Sequence, residues 1–363
     1  MLKCCVVLVG FLLAMVVYAP PSEGAFHLRS PYNTGIFRFE IDNDAVWKKD
    51  SNFSNGWSLQ YHTPCYDGWD VADVPGLVAW VGTHVPSMDA GDAIVRYSYG
   101  VGQNMLTPGD LSMETVRNGD LPYAGTVTVS ANWQSFNRDV ARNLQVSVGL
   151  LGRQSFAKEF QTFVHNDLGM GKNPKGWGGQ RKTEPLINLG YQYVRRLAYV
   201  GRYTNGWAGQ LAIEANATLG NLYTSVGSGL SARFGWNIQE GFGPAPAPPG
   251  VGFYQAAFLP KPAFASPHSI EMVLGASGTG LIYSTLYDGS RLTDDDREVS
   301  REDVMGAWLM GVNYHYFELF SIRAHFQVST KLLKEDLIPN ALPGKKKTHG
   351  DVSFGALMVD VYF

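Results

Sequence analysis

Residues 353–363 alternate with a period of two. Leu357, Val359, Val361 and Phe363 fall on one face, and Ala356, Met358, Asp360 and Tyr362 on the other. An apolar strand face that runs to a terminal aromatic is a liability in a soluble sheet, where charge normally blunts the edge. It suits a transmembrane barrel, whose last strand pairs with the first and shows lipid an unbroken apolar band. An edge strand of a soluble sandwich is the competing reading of these residues alone.

The start of the chain favours the barrel. Residues 1–24 hold one cation, Lys3, then an apolar run from Cys4 to Tyr18, then Pro-Pro-Ser-Glu-Gly-Ala before Phe26. That is the pattern of a secretory signal peptide, with the cut after Gly24 or Ala25. The apolar run is short for a spanning helix, and no later window approaches the roughly 20 apolar residues one needs. An exported chain without a spanning helix can live in a bilayer only as a closed barrel, because every backbone group must be satisfied internally.

Residues 25–363 then form one domain, an all-β antiparallel barrel in the outer membrane of a Gram-negative bacterium. Cys4 and Cys5 leave with the signal, so Cys65 is the only cysteine retained. It has no partner for an internal disulfide, and no cysteine pair exists to hold zinc. An aromatic content of 13% and 41 glycines suit interfacial girdles and crowded barrel interiors. The net charge of -3 argues against nucleic acid as a partner. Lys172, Lys175, Arg181 and Lys182 cluster, as do Lys345, Lys346 and Lys347. Such groups are solvated loop faces or meet anionic lipid headgroups.

Alternating segments separated by turn-rich stretches recur from Gly35 onward. The pattern predicts strands over 35–43, 54–63, 92–103, 122–135, 142–151 and 184–198. The second half adds 207–217, 220–235, 268–287, 302–316, 318–331 and 351–363. The total is about twelve, an even number as bacterial barrels prefer. Both ends then lie in the periplasm, and 43–54, 104–121 and 152–183 are outer loops. Two periplasmic connections, 64–91 and the Pro-rich 240–267, are unusually long for that side. The glycine-rich stretches around Gly227 and Gly275 read as barrel interior, since they lack the Lys-Ser/Thr ending of a phosphate loop.

One outer loop departs from the strand period. Phe156, Phe160, Phe163 and Val164 recur at helical spacing, with Ser155 as N-cap and Asn173-Pro174 as a stop. The resulting short helix would turn its phenylalanines toward the barrel rim or the outer leaflet. Gln161 and His165, four apart, project from nearly one face. A lone histidine is commonly a solvated polar residue, yet it is also the natural general base near neutral pH.

A polar group meets that loop at the same rim. Asp42-Asn43-Asp44 ends the first strand and Ser54-Asn55-Gly56 begins the second. Runs of this kind are common turn chemistry. Converging carboxylate and amide oxygens also suit a hard cation such as calcium. Gln103 to Pro108 and Asp120 to Gly125 emerge at the same end. No Gly-x-Ser-x-Gly turn is present to support a serine nucleophile.

The order and spacing of these pieces resemble the outer-membrane lipid A 3′-O-deacylase family. The matching elements are Glu40-x-x-Asn43-Asp44, Ser54-Asn55-Gly56, Gly102-Gln103-x-x-x-Thr107-Pro108 and Asp120-x-Pro122-Tyr123-Ala124-Gly125. Gln161-x-x-x-His165, Pro174-x-Gly176-Trp177 and Gln180-x-x-x-Glu184 complete them. The likeness is densest from about 36 to 230. It implies a twelve-stranded barrel with its active site between the wall and an outer-loop helix. It also implies calcium-dependent hydrolysis of an acyl ester of lipid A, the lipid anchor of lipopolysaccharide. By that resemblance His165 is the general base, Asn43 and Asp44 lie at the calcium and oxyanion end, and Ser54 and Gln161 complete the polar shell. The family's lysine on the third strand and its glutamate after the histidine have no counterpart. Gln103 stands near the first place, and Gly171 or Lys172 near the second. Two other readings follow: a catalytically inactive lipopolysaccharide-binding barrel, and a passive porin.

Overall fold

The computed structural model describes residues 35–44, 52–89, 93–116, 120–167, 173–202, 206–238, 241–244, 268–316, 319–334 and 351–363. The expected signal peptide, the Lys345–Lys347 cluster and most of the Pro-rich connection lie outside the described residues.

Twelve antiparallel strands close into one barrel in simple up-and-down order. They are β1 Ile36–Asn43, β2 Asn52–His62, β3 Ile94–Thr107, β4 Ala124–Phe136, β5 Val140–Leu151 and β6 Glu184–Gly201. The others are β7 Trp207–Gly220, β8 Thr224–Trp236, β9 His268–Tyr283, β10 Val304–Tyr316, β11 Phe320–Ser329 and β12 Phe354–Tyr362. The expected strands are all present, with ends shifted by a few residues. The largest shifts, of four residues, are in β3, β8 and β9; β9 ends early because Ser284 begins a turn in which its carbonyl accepts from Asp288 N at 2.8 Å. The terminal aromatic serves closure as expected. Gly35 N donates to Phe363 O at 2.9 Å, and the Phe363 ring stacks on Tyr61 at 5.9 Å.

The period-two pattern sorts the two faces of the wall. Phe37, Phe39, Val148, Leu150, Leu357 and Val361 are exposed on the outside, while Arg38, Glu40 and Asp42 are buried in the lumen. Two of the buried luminal carboxylates, Asp360 and Glu271, are paired with arginine, which offsets the cost of burying charge. Arg38 and Arg323 both bind Asp360, at 2.6 and 2.8 Å, and Arg233 binds Glu271 at 3.2 Å. Gly227 and Gly275 face inward, since they pair with Asn216 and Ser231 on the luminal face.

The end carrying 152–183 is the outer end. There Phe53, Leu106, Leu151, Leu186, Leu281, Met305 and Phe354, one from each of seven strands, pack with Leu286, Tyr287 and Val299 of the loop after β9. This layer caps the lumen. At the opposite end the turns after β4, β6 and β10 are short, as on the periplasmic side of outer-membrane barrels. The long connection there contains a helix, α1 Gly76–His84. Its sequence, Gly-Leu-Val-Ala-Trp-Val-Gly-Thr-His, is apolar almost all round, so no amphipathic period announced it.

Candidate active site

The outer ends of β1 to β4 carry the site on the outward face of the wall. Asn43, Asn55, Met105 and Gly125 form one row across four strands by register. On a bare barrel this face would meet lipid. Here Met105 and Gln103 are buried, because the loop between β5 and β6 folds over them.

That loop is shaped by two left-handed residues. Gly152, at φ 96°, turns the chain out of β5 into a single 3-10 turn, Arg153–Ser155. Phe156, at φ 56°, then redirects it into α2, Ala157–Thr162, which widens into a π turn over Phe163–Asp167. Phe156, not Ser155, therefore holds the N-cap position. The extra left-handed residue displaces the helix start by one, and Ser155 Oγ donates back to Gly152 O at 2.7 Å.

Of the phenylalanines of this helix, expected at the rim or toward the outer leaflet, the rim takes only one. Ala157 and Gln161 are buried, whereas Phe156 and Phe163 point outward at 67% and 50% exposure. The reason is a close approach at Gly125. A Cβ there would lie 2.3 Å from both Ala157 Cβ and Ser155 Oγ, so only two small residues allow this seating. Phe160 alone turns toward the wall, its ring 6.4 Å from that of Trp57.

Three tryptophan- and glutamine-based contacts hold the helix. Trp57 Nε1 donates to Gln103 Oε1 at 3.0 Å, and Gln103 Nε2 donates in turn to the Ser155 carbonyl. Gln103, at the place where the resemblance puts a lysine, is thus a neutral bridge between β3 and the loop. On the other side Trp177 Nε1 donates to Gln161 Oε1 at 2.7 Å, and the Trp177 ring packs 4.8 Å from Tyr123. This bond fixes the Gln161 amide with its Nε2 buried and unpartnered.

The helix has a direction that matters. It starts on β4, where Ala157 meets Gly125, and one turn later Phe160 is over Trp57 of β2. Continuing, it points to β1. Three strand spacings from Gly125 to Asn43 amount to about 14 Å, and eight helical residues advance about 12 Å. His165 is half-buried in the π turn at the leading end of α2.

Asn43 is the last residue of β1, and its Nδ2 donates to Ser54 O at 3.1 Å across the hairpin. Asp44 follows in a tight turn with its side chain buried. Ser54 sits at a β-bulge between Phe53 and Asn55, and its hydroxyl is hydrogen-bonded to that of Thr107. The bulge re-aims this side chain out of the strand alternation. Among the described residues no three His, Cys, Asp or Glu side chains gather into a metal site. The oxygens of Asp44 and Asn43, with backbone and water, nevertheless fit calcium, which accepts carboxylate, amide and carbonyl oxygen alike.

A second set of residues pins the far end of the loop. Arg181 Nη1 pairs with Asp295 at 3.2 Å, and Lys182 N and Arg297 also donate to that carboxylate, at 2.9 and 2.6 Å. Burial opposes charge on Asp295, but the Arg297 hydrogen bonds, the Lys182 N–H and both guanidinium charges outweigh it and hold the carboxyl well below the usual range. Burial pulls Arg181 down from the usual guanidinium value, and Asp295 opposes that shift. Buried Glu184 accepts from Asn221 at 2.7 Å and Thr285 at 3.0 Å, tying β6 to two further loops. Sequence reasoning missed Trp57 and Asp295, whose partners are distant in the chain, and named Ser155 only as an N-cap. Gly125 and Trp177 were visible only as motif letters.

The fold of LpxR from Salmonella typhimurium superposes with a TM-score of 0.68 at 13% identity, covering 90% of this chain and 100% of that one. The β domain of the Bordetella autotransporter BrkA is more distant, with a TM-score of 0.37 at 8% identity, covering 91% of this chain and 100% of that one. No curated protein matches by sequence. The family model described as outer membrane protein LpxR matches residues 6–342, and the chain belongs to that family.

Proposed function

We propose that the protein is a calcium-dependent ester hydrolase that removes an acyl chain, the 3′-linked one, from lipid A in the outer leaflet. The observation that carries this reading is the seating of Ala157 of α2 on Gly125 of the outward wall; in this reading the helix carries His165 toward Asn43 and Asp44. In this reading the substrate approaches sideways from the outer leaflet, where lipid A resides. The 3′ position comes from the family resemblance.

In this reading neutral His165 takes a proton from water as the water oxygen attacks the ester carbonyl carbon. Calcium, held by Asp44 and Asn43, would supply the charge that stabilises the carbonyl oxygen. The buried Nε2 of Gln161, its amide oriented by Trp177, is a further donor toward the cleft. When the tetrahedral centre collapses, the carbon–oxygen bond to the sugar breaks. The histidine proton passes to the departing alkoxide, giving a free fatty acid and a sugar hydroxyl. Ser54, bonded to Thr107, orders the hairpin that presents Asn43.

The inactive lipopolysaccharide-binding reading is favoured by one observation, the neutral Gln103 bridge in the lysine's place. A passive porin is disfavoured by the apolar layer that caps the lumen. Lipid A mass spectra from cells with and without the protein separate the three. The proposal expects a species lighter by one hydroxyacyl chain that vanishes in His165→Ala. Unchanged spectra in both strains would leave binding alone.

A further inference from the structure

We infer that the segment 63–89, with α1 at its centre, is a phospholipid-docking ledge that inserts Leu77 and Trp80 into the periplasmic leaflet of the membrane. The argument rests on depth, on packing and on the rim around it.

Depth comes from the register. Tyr97, Trp133, Leu144 and Tyr191 form one row on the outward face of β3 to β6. The next row toward the outer end is Tyr99, Ala131, Val146 and Leu189. In that next row Tyr99, Val146 and Leu189 are open to lipid, whereas Trp133 and Leu144 below are buried. Two residues along a strand span about 7 Å. The open apolar band therefore stops one side-chain row from the cover, and that cover is the 63–89 segment.

Packing shows which side of α1 is left over. Trp133 Nε1 donates to Val78 O at 2.9 Å, and the Ser87 and Tyr191 hydroxyls are 2.7 Å apart. Gly82 lies against Trp69, leaving no space for a Cβ, which would come within 2.3 Å of the indole. Val78 and Gly82 thus form the inner side. Leu77, Trp80 and His84 share the outer side, with Leu77 exposed by 73% and Trp80 by 57%. His84 stacks on Trp80 at 4.8 Å. Exposed Asp67, Asp70 and Asp73 lie just before the helix, giving the segment a water side as well as a lipid side.

The rim gives the occupant. Aromatic pairs mark the periplasmic edge elsewhere: Tyr61 with Phe363, Trp207 with Trp236, and Tyr316 with Phe320. Such rings sit at headgroup level. Over β3 to β6 the wall's own aromatics, Tyr97, Trp133 and Tyr191, lie against the segment, and Trp80 takes their place one layer further out. A helix that is apolar on every side is buried on every side, and beyond Leu77 and Trp80 the apolar phase at this rim is lipid.

Nitroxide labelling in phosphatidylethanolamine–phosphatidylglycerol vesicles tests this. Leu77→Cys and Asp70→Cys are labelled separately in the full chain, with unaltered protein as a blank because Cys65 is buried. At position 77 the collision rate with oxygen relative to a water-soluble nickel chelate should be severalfold higher than at position 70. Trp80→Cys should repeat the result, which covers a Leu77 variant that fails to fold. Equal access of the nickel chelate at 77 and 70 would overturn the inference. Dipolar broadening between labels at 77 would overturn it as well, by showing a second copy on this face.

Discussion

Arg181 and Asp295 meet as a buried ion pair, 3.2 Å between Nη1 and Oδ1, that joins the α2-bearing loop to the loop between β9 and β10. Arg181 also donates to the carbonyls of Arg297 and Leu286, at 2.7 and 2.9 Å. Arg297 reaches back to the carbonyls of Gly179 and Gln180, at 2.6 and 3.0 Å. The site loop is thereby latched at its end as well as at its helix.

Asp295→Ala leaves Arg181 buried without its carboxylate. Losing one partner of a buried pair costs about 3–5 kcal/mol. The barrel should still form, while protease cleavage within 173–183 and thermal loss of activity both rise. The acid dependence has a definite sign. The folded carboxyl titrates below its ordinary value of roughly 3.9. Its stabilisation is complete above that ordinary value and disappears only as pH falls through the depressed one. The latch should therefore survive at mildly acidic pH, as measured by the onset of loop proteolysis against pH. Asp295→Asn should remove that acid-dependent part.

Gly125→Leu should unseat α2. The first side-chain carbon already falls 2.3 Å from Ala157 Cβ, so the helix must lift. Heat-modifiable migration on a detergent gel should persist, while deacylation falls by at least the hundredfold typical of losing a positioned base. Retained activity in this variant would mean that the seating of Ala157 on Gly125 does not matter to catalysis.

Calcium dependence should follow Asp44. Chelation should abolish hydrolysis and added calcium restore it, with magnesium a poor substitute because it demands tight octahedral geometry and dehydrates reluctantly. Asp44→Ala should remove activity with the barrel assembled. Full turnover in excess chelator would dismiss the metal from the mechanism.

His165→Ala should lower turnover by roughly a hundredfold to ten-thousandfold. Gln161→Ala should cost less, since its amide orients and donates without accepting the proton. Trp177→Phe keeps the ring against Tyr123 but removes the hydrogen bond at 2.7 Å. It should reproduce the Gln161→Ala defect in turnover. Steady-state rates on lipid A vesicles compare all three.

The barrel was legible because its signal is local and repeated: Phe37, Phe39 and Ile41 against Arg38, Glu40 and Asp42 declare two faces within a few residues. The helix was legible by period, but its seating was not. That depends on Phe156 adopting a left-handed turn and on Gly125 offering a bare backbone, neither of which leaves a periodic trace. The neighbours Asn43 and Ser54 were expected across one hairpin, and register confirms the pairing of Asn43 with Asn55. Arg181 and Asp295 lie 114 residues apart, in the β5–β6 and β9–β10 loops, so only the tertiary fold brings them together. The helix α1 was hidden because its apolar residues go all round.

The capped and ion-paired lumen has a consequence for traffic. With Asp360 gripped by two arginines and an apolar layer across the outer end, side chains cross the lumen of the described barrel at two levels. On the proposed function, the substrate lipid reaches Asn43 and His165 by diffusion within the leaflet, and the trimmed lipid leaves the same way. On that reading, raising the number of these molecules would change surface lipid without adding wide pores to the envelope.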